Sequence, residues 1–189
     1  MTENACFAEA GLEARRDSRV SSASEQGADE VDAKIRRKTL RLLSNGVYVL
    51  TSRGGDRLGA ATVTWVSQVS FRPPLVMVAV RPESNVFKCM LESRVAVLHI
   101  VGDKQQEIAR RFFHPTAPGP GTINGEPFAE GRTSAPVLIG FSAHMECRVE
   151  RVVEANGDHA MMILEVLGAE CRGQVRPLTI ADSPWEYGG

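Results

Sequence analysis

Apolar and polar residues follow one another along most of the chain in short strand-like runs, separated by turns rich in Gly, Pro, Asn and Asp. The runs occupy residues 47–51, the stretch from 58 onward, and residues 75–80, 95–101, 137–141, 144–154 and 159–170. Tight turns rather than repeated crossover helices join them, which favours antiparallel pairing. The pattern predicts a mostly β fold, an antiparallel barrel of six or seven strands with two or three short helices.

Two turns carry strong hairpin signals. Arg53-Gly54-Gly55-Asp56 separates the first two runs, and Asn156-Gly157 separates the last two. In contrast, residues 114–135 are rich in Pro and Gly and show no periodicity. We expect this stretch to be a long loop, either a lid over a ligand site or a surface insertion.

The N-terminal part of the chain divides into a tail and a helix. Residues 1–30 have the composition of a poorly ordered tail, so we assign the folded domain to residues 31–189. A helix is predicted from about Asp32, with Asp29 or Asp32 as its cap, to a stop at Gly46. Its apolar face would consist of Ile35, Leu42 and Leu43.

Two further helices are predicted within the barrel sequence. Ser84 is a suitable N-cap for a short helix that ends near Glu92. Asp103, with Gln106 three residues later, is expected to open another helix. The apolar side of this second helix would carry Ile108, Ala109, Phe112 and Phe113.

Charge and length exclude some classes of protein. The 189 residues suit one domain, and the net charge is -1. Residues 1–33 hold eight acidic and three basic residues, which leaves 15 acidic and 19 basic residues in the body of the chain. This mildly basic body is compatible with phosphate-bearing ligands but too weakly charged to predict nucleic-acid binding.

The four cysteines are widely spaced and form no C-x-x-C pair. Reduced thiols in a cytoplasmic protein are therefore expected, and Cys147 is interpreted as a small core residue. No apolar run approaches the length of a membrane span, and the acidic N-terminus has no signal-peptide pattern. We therefore predict no membrane association.

The most informative stretch is residues 59–80, where hydroxyl and amide side chains directly precede an apolar strand. The polar side chains are those of Thr62, Thr64, Ser67, Gln68 and Ser70, and Pro73-Pro74 ends the segment. Residues 75–80 read as a strand with two buried faces. A polar edge of hydroxyl and amide side chains beside an apolar strand suits a planar, hydrogen-bonding ligand that carries a phosphate, and FMN is the obvious candidate. An ordinary Thr-rich strand and turn is the alternative.

At these residues the sequence resembles the flavin reductase-like family, whose members show a Thr/Ser-rich run ending in Ser-x-x-Pro-Pro before a hydrophobic strand. The resemblance implies an FMN-binding split barrel of the antiparallel Greek-key type. It also implies that the run binds the flavin, which gives Thr62, Val63, Thr64, Ser67, Gln68 and Ser70 as cofactor-binding candidates.

A second motif, Gly157-Asp158-His159, resembles the Gly-Asp-His motif of flavin reductases from two-component monooxygenase systems. The resemblance implies that Asp158 and His159 lie near the nicotinamide and flavin rings and position the hydride donor, so they are the catalytic candidates. Without the family, a hairpin turn that ends in Asp-His is unremarkable.

The segment from Arg81 to Asn85 is a candidate phosphate site, because a helix N-terminus with an adjacent Arg and Ser attracts anions. Arg81, Ser84 and Asn85 are the candidate ligands. The family has Ser-x-Thr here, and Val86 stands where that Thr is expected. Helix capping is the alternative role of Ser84.

The C-terminal residues 185–189 resemble the aromatic-Gly-Gly terminus of many family members. Trp185, together with Phe113, is therefore a candidate for contact with the flavin. The resemblance also implies a homodimer, in which Trp185, Tyr187 and the loop from His114 reach the neighbouring subunit. A terminal Trp that plugs one end of the barrel is the alternative.

Other cofactor classes are disfavoured. The sequence has no P-loop, and Gly54 to Gly59 lacks the spacing of a dinucleotide-binding G-x-G-x-x-G. The four histidines are scattered without helical i, i+4 pairs, so we predict no metal site.

Taken with the resemblance, these residues predict an NAD(P)H:flavin oxidoreductase that supplies reduced flavin to a partner monooxygenase or halogenase. FMN is the expected flavin, with FAD possible, and NADH or NADPH is the hydride donor. A non-catalytic FMN-binding electron carrier is the first alternative, and a flavin-binding or flavin-free interaction protein is the second.

Overall fold

The structure is a computed structural model that describes residues 25–154 and 156–185, with side chains from residue 32 onward. Its helices are α1 (Glu25–Leu40), α2 (Asn85–Ser93) and α3 (Gln106–Arg111). Its strands are β1 (Tyr48–Gly54), β2 (Arg57–Val63), β3 (Val66–Ser70), β4 (Leu75–Val80), β5 (Val95–Ile100), β6 (Pro118–Gly119), β7 (Thr122–Ile123), β8 (Glu126–Glu130), β9 (Pro136–Leu138), β10 (Ala143–Glu154) and β11 (Ala160–Cys171).

The strands form two antiparallel sheets, as the mostly β prediction requires. The main sheet has the order β2-β1-β5-β10-β11-β4-β3, and the small sheet has the order β6-β7-β8-β9. Both predicted hairpins are confirmed: β1 pairs with β2 up to Gly54 and Arg57, and β10 pairs with β11 up to Glu154 and Ala160.

The main sheet must curl, because its two edge strands are consecutive in the chain. In a flat sheet β2 and β3 would lie about 29 Å apart, at the usual strand spacing of about 4.8 Å. The link from Val63 to Val66 spans at most about 11 Å. The edges therefore meet at the Thr64-Trp65 link, which leaves a seam on one side of the barrel.

Two apolar cores hold the fold together. The first joins the buried face of α2 to β1, β2, β4, β5, β10 and β11, and the second joins β1 and β2 to α3 and the small sheet. In β4 the side chains alternate, since Val76, Val78 and Val80 are buried while the intervening side chains are half-buried. The prediction of two fully buried faces is thus only half right, because Ala79 on the second face borders a cavity.

Helix α1 begins at Glu25, which corrects the predicted start at Asp32 and moves residues 25–30 from the predicted tail into the helix. It ends at Leu40, before the predicted stop at Gly46. The expected apolar face is exposed: Ile35 is 58% exposed and Leu42 is 78% exposed. The spacing of apolar residues predicted the helix, but it could not show whether another part of the protein covers the apolar face of that helix.

The start of α3 also differs from the prediction. Asp103 lies outside the helix, with its backbone N–H donating to the Arg176 carbonyl. Gln105 stands at the N-cap position and its side-chain oxygen accepts from the Gly102 N–H. Pairing of the 103–105 turn with the C-terminal segment overrides the capping signal of Asp103.

The stretch 114–135 contains three of the four strands of the small sheet, so the prediction of a long irregular loop is wrong. The missed signal is Asn124-Gly125, where both residues have positive φ, 52° and 77°. Such a pair favours a tight hairpin turn. It joins β7 to β8.

His99 joins the two sheets from within the core. Its Nδ1–H donates to the Val49 carbonyl at 3.0 Å, and its Nε2 accepts from the Leu138 N–H at 2.9 Å. These bonds assign the neutral tautomer, and complete burial lowers the pKa of His99 to about 3. This histidine is therefore a structural residue.

Described side chains provide no group of three or more His, Cys, Asp or Glu that could hold a metal ion. Cys89, Cys147 and Cys171 are free thiols. Burial raises the pKa of Cys147 to about 12, as suits a core residue. Among the residues that the structure describes, no helix has the length and apolar character needed to cross a membrane.

Candidate active site

A cavity of about 700 Å³ opens at the seam of the barrel. Its walls are the end of β2 with the Thr64-Trp65 link, the end of β4 with the start of α2, residues 112–116 after α3, His159 and Trp185. Segments that are distant in the chain therefore meet at one opening. A mostly apolar cavity with a few convergent polar groups is the usual form of a ligand site.

Residues 112–116, which we call the strap, are attached along the free edge of β2. The Thr62 N–H donates to the Phe112 carbonyl at 3.1 Å, and the Thr62 hydroxyl donates to the Ala109 carbonyl at 2.8 Å. At the other end, the Thr116 hydroxyl bonds both the N–H and the carbonyl of Ala60. The backbone N–H of Thr62 thus holds the strap, and its hydroxyl holds the end of α3 that precedes the strap.

Thr64 has the most informative polar side chain in the cavity wall. It is 5% exposed, and its hydroxyl has no hydrogen-bond partner among the described residues. A buried hydroxyl without a partner is costly, so native structures normally satisfy it. A polar ligand in the cavity would supply the missing partner.

The start of α2 forms a second polar part of the wall. The Ser84 hydroxyl accepts from the Phe87 N–H at 3.3 Å and donates to the Arg81 carbonyl at 2.7 Å, which confirms Ser84 as the N-cap. Val86 is fully buried in the first core. The position expected to be Thr therefore serves packing, and the wall contains Arg81, Glu83, Ser84 and Asn85.

His159 lines the cavity beside Trp65, and their ring centroids are 4.7 Å apart. The His159 Nδ1 is 2.8 Å from the Asp158 Oδ1. Asp158 itself does not line the cavity and is 81% exposed. Its hydrogen bond and charge interaction with His159 hold the pKa of Asp158 below its usual value. The carboxylate thus contacts the imidazole from outside the cavity.

A second aromatic pair lines the same cavity. Phe113 and Trp185 contact edge to face, with centroids 4.8 Å apart, and Phe113 is 49% exposed. Both candidates thus lie where a planar ligand would meet them. Tyr187 is outside the described residues.

Three of the candidate flavin contacts do not line the cavity. Ser67, Gln68 and Ser70 lie on β3, where their side chains make local bonds: Ser67 to the Gln68 carbonyl and Gln68 to the Ser70 carbonyl. The chain turns at Trp65 and carries β3 away from the cavity. Thr62, Val63 and Thr64, before the turn, do line it.

Sequence reasoning assigned no role to Trp65. It placed His114, Pro115 and Thr116 in a long loop, either a lid over a ligand site or a surface insertion, and expected the loop from His114 to reach the neighbouring subunit. Trp65 stands inside the hydroxyl-rich run, and its large aromatic ring was the signal available. The strap had no such signal, because its position depends on bonds to β2.

Asn124 holds the strap from the small sheet. Its amide nitrogen donates to the carbonyls of Arg111 and Pro115, and its amide oxygen accepts from the Ala117 N–H at 2.7 Å. These bonds close the chain from 111 to 117 into a loop that presents the strap to the cavity.

We expect Asn124→Gly to loosen the strap. Glycine keeps the positive φ of the turn, so only the three side-chain bonds are lost, at a cost of about 1–3 kcal/mol in unfolding free energy. Asn156→Gly at the other hairpin is the matched control, because the Asn156 side chain has no hydrogen bond to the described residues, and should change stability by less than about 0.5 kcal/mol. Urea unfolding of both variants measures the difference. Equal stabilities of the Asn124→Gly and Asn156→Gly variants would show that the Asn124 side chain does not hold the strap.

Comparison with known proteins agrees with this geometry. The family model "Flavin reductase like domain" matches residues 40–186. A putative diflavin flavoprotein A 3 of Nostoc is 31% identical over 76% of this chain, and the chain spans about a quarter of that protein, 24%. An NADH-dependent FAD reductase of Streptomyces globisporus is 30% identical over 75% of this chain and 80% of its own length.

A solved structure shares the fold. BorF, the flavin reductase component of a bacterial two-component tryptophan halogenase, superposes with a TM-score of 0.62 at 29% identity, over 78% of this chain and 98% of its own. The seven-stranded sheet that curls to a seam is therefore the split barrel that the sequence predicted. The family match over 40–186 and the cavity at the seam lead to one conclusion: the chain belongs to the flavin reductase-like family, with the split-barrel fold.

Proposed function

We propose that this chain is an NAD(P)H:flavin oxidoreductase that uses FMN, with FAD as the alternative. The observation that carries the proposal is the buried Thr64 hydroxyl in the wall of the seam cavity, which has no hydrogen-bond partner in the part of the chain that the structure describes. A planar ligand with a polar edge satisfies that hydroxyl while its faces meet the aromatic pairs. When bound, flavin accepts a hydride at N5 from C4 of the nicotinamide.

The residues of the chain bind and orient the reactants. Thr64 meets the polar edge of the isoalloxazine ring, and the strap and Trp185 exclude water from the cavity. His159, held by Asp158, lies at the wall where the nicotinamide approaches. Such positioning lowers the barrier by holding donor and acceptor in reacting geometry. No side chain needs to act as an acid or base for the hydride itself.

The decisive experiment is NADH and NADPH oxidation by the purified protein with substoichiometric and with excess FMN or FAD. Turnover of excess flavin supports the oxidoreductase. Reduction limited to tightly bound flavin supports the electron carrier instead. Failure to bind any flavin would contradict both the oxidoreductase and the electron carrier, and would support the flavin-free interaction protein.

A Thr64→Val variant should bind flavin more weakly by about 1–3 kcal/mol, because a polar atom of the ligand loses its partner. The apoprotein should be no less stable than the wild type, since the hydroxyl has no partner there. Ser67→Ala, outside the cavity, is the control and should retain wild-type affinity. Fluorescence titration with FMN measures both. Unchanged affinity in Thr64→Val would remove this residue from the site.

We propose that the flavin phosphate lies at the start of α2, near Arg81, Ser84 and Asn85. FMN should then bind about 1–2 kcal/mol more tightly than riboflavin, given the attraction of a helix N-terminus for anions. The gap should narrow in Asn85→Ala and persist in Lys88→Ala, one turn further along α2. Equal affinities for FMN and riboflavin in the wild type would contradict this site.

We propose a homodimer as the working form. The support is α1 and the turn that follows it, where Ile35 of the helix and Leu42 and Leu43 of the turn are 58%, 78% and 64% exposed and would be covered by a second copy. Trp185, which we expect to reach the second subunit, lines the cavity of its own chain. Light scattering that gives a monomer at assay concentration would contradict the dimer.

We further propose that reduced flavin is passed to a partner oxygenase or halogenase in the cytoplasm. BorF, by its description a component of a two-component system, supports the partner. The free thiols of Cys89, Cys147 and Cys171 support a reducing compartment. Flavin transfer is measured by adding a candidate partner oxygenase and following the formation of the oxygenase product. A parallel reaction that contains catalase is the control.

A further inference from the structure

Trp65 lies at the point where the edge strands of the barrel meet. Its carbonyl accepts from the Ala79 N–H at 3.0 Å, which attaches the link between β2 and β3 to β4. The backbone position of the indole is therefore set by the sheet. Trp65 belongs to neither apolar core of the described structure, although it lines the cavity.

The register of the sheet places Trp65 close to His159. Ala79 pairs with Met161 of β11. His159 is two residues before Met161, so the side chains of Ala79, Met161 and His159 lie on the same face of the sheet. Ala79, Trp65 and His159 line the same cavity. The indole contacts the imidazole, with ring centroids 4.7 Å apart and ring planes inclined by 56°.

The imidazole is thus held from two sides. The indole contacts it within the cavity, and Asp158 bonds its Nδ1 from solvent. The His159 side chain is only 12% exposed although its neighbour Asp158 is 81% exposed. Arg81, paired with Glu83 at 3.8 Å, is the charged group that faces this site from the end of β4.

We propose that Trp65 is a positioning residue for His159, fixing the imidazole in the cavity wall so that it can orient the nicotinamide; this role rests on the proposed oxidoreductase function. Contact with an aromatic ring restricts rotation of the imidazole, and the hydrogen bond to Asp158 selects the Nδ1–H tautomer. Together they fix which ring nitrogen is available to a ligand.

The kinetic test is a double-mutant cycle at saturating flavin, since Trp65 also borders the cavity. Reduction of bound flavin should slow about 10-fold in Trp65→Leu and stay within about threefold of wild type in Trp65→Phe, which keeps an aromatic contact. The double variant Trp65→Leu/His159→Ala should be no slower than His159→Ala alone. Losses that multiply would mean that Trp65 acts directly on the ligand, and would overturn the proposal.

A spectroscopic test needs no flavin or nicotinamide. In a Trp185→Phe background Trp65 is the sole tryptophan. An imidazole in contact with an indole quenches its emission. The emission of Trp65 should therefore rise in His159→Asn, which removes the imidazole, and change much less in Asp158→Asn, which keeps it.

The two tests separate the positioning role from the proposed function. A protein that reduces flavin but whose Trp65 emission is indifferent to His159→Asn overturns the positioning role alone. Emission that changes on removal of the His159 imidazole, in a protein that reduces no flavin, supports the pairing and overturns the oxidoreductase proposal. Should Trp65→Leu fail to fold, the emission of the folded His159→Asn variant still decides the contact.

Discussion

A Gly59→Ala variant is expected to lose about 2–4 kcal/mol of unfolding free energy, because overpacking against rigid neighbours costs this much. A Cβ at Gly59 would lie 2.5 Å from the Cα and 2.6 Å from the N of Val86. Both are backbone atoms at the first turn of α2, so no side-chain rotation relieves the clash. The start of α2 must move away from β2.

Gly157→Ala is the matched control, since a Cβ there meets no atom of the described residues within 4 Å. Denaturant unfolding should show a large loss for Gly59→Ala and a small one for Gly157→Ala. The displaced helix start borders the cavity, so FMN affinity should fall in Gly59→Ala as well. Wild-type stability in Gly59→Ala would show that β2 and α2 are less closely packed than the structure indicates.

The His159→Ala variant should reduce bound flavin about 100-fold more slowly or need correspondingly more NAD(P)H, because loss of orientation costs rate steeply. The affinity for FMN should change little, since Thr64 and the start of α2 stay in place. Stopped-flow measurement of flavin reduction under anaerobic conditions separates the reduction rate from the NAD(P)H concentration that it requires.

Asp158→Asn is the companion variant for His159. It keeps a hydrogen bond to the imidazole but removes the charge, so we expect a smaller decrease in rate than in His159→Ala. Thermal melting of both variants checks that the β10–β11 turn is intact. A folded His159→Ala protein with wild-type rates and NAD(P)H dependence would make this histidine an ordinary hairpin residue.

Local signals in the sequence were sufficient for much of the fold. Both predicted hairpins formed at Gly54-Gly55 and Asn156-Gly157, and Ser84 caps α2 as expected. These features depend on a few adjacent residues and their φ preferences. Asn124-Gly125 is a turn signal of the same local kind. It was present in the sequence, but the many Pro and Gly residues around it led to the prediction of a loop.

The candidate site was only partly predictable. The hydroxyl-rich run identified Thr64, but it also suggested Ser67, Gln68 and Ser70, which lie outside the cavity. A linear run cannot show where the chain turns, and the turn at Trp65 separates the two groups. Of the strap, only Phe113 was a candidate, because residues 112–116 reach the cavity through bonds to β2 and to Asn124 that no local pattern reveals.

By itself the sequence determined the mostly β class, the hairpins, the capped helix and the resemblance to flavin reductases, since these rest on local periodicity, turn chemistry and short motifs. Tertiary structure alone decided that β2 and β3 close the barrel at a seam, that Thr64 lacks a partner there, and that Trp65 contacts His159. The physical reason is that a curled sheet brings together residues nearly a hundred positions apart. Their contacts depend on strand order and register, which long-range packing sets.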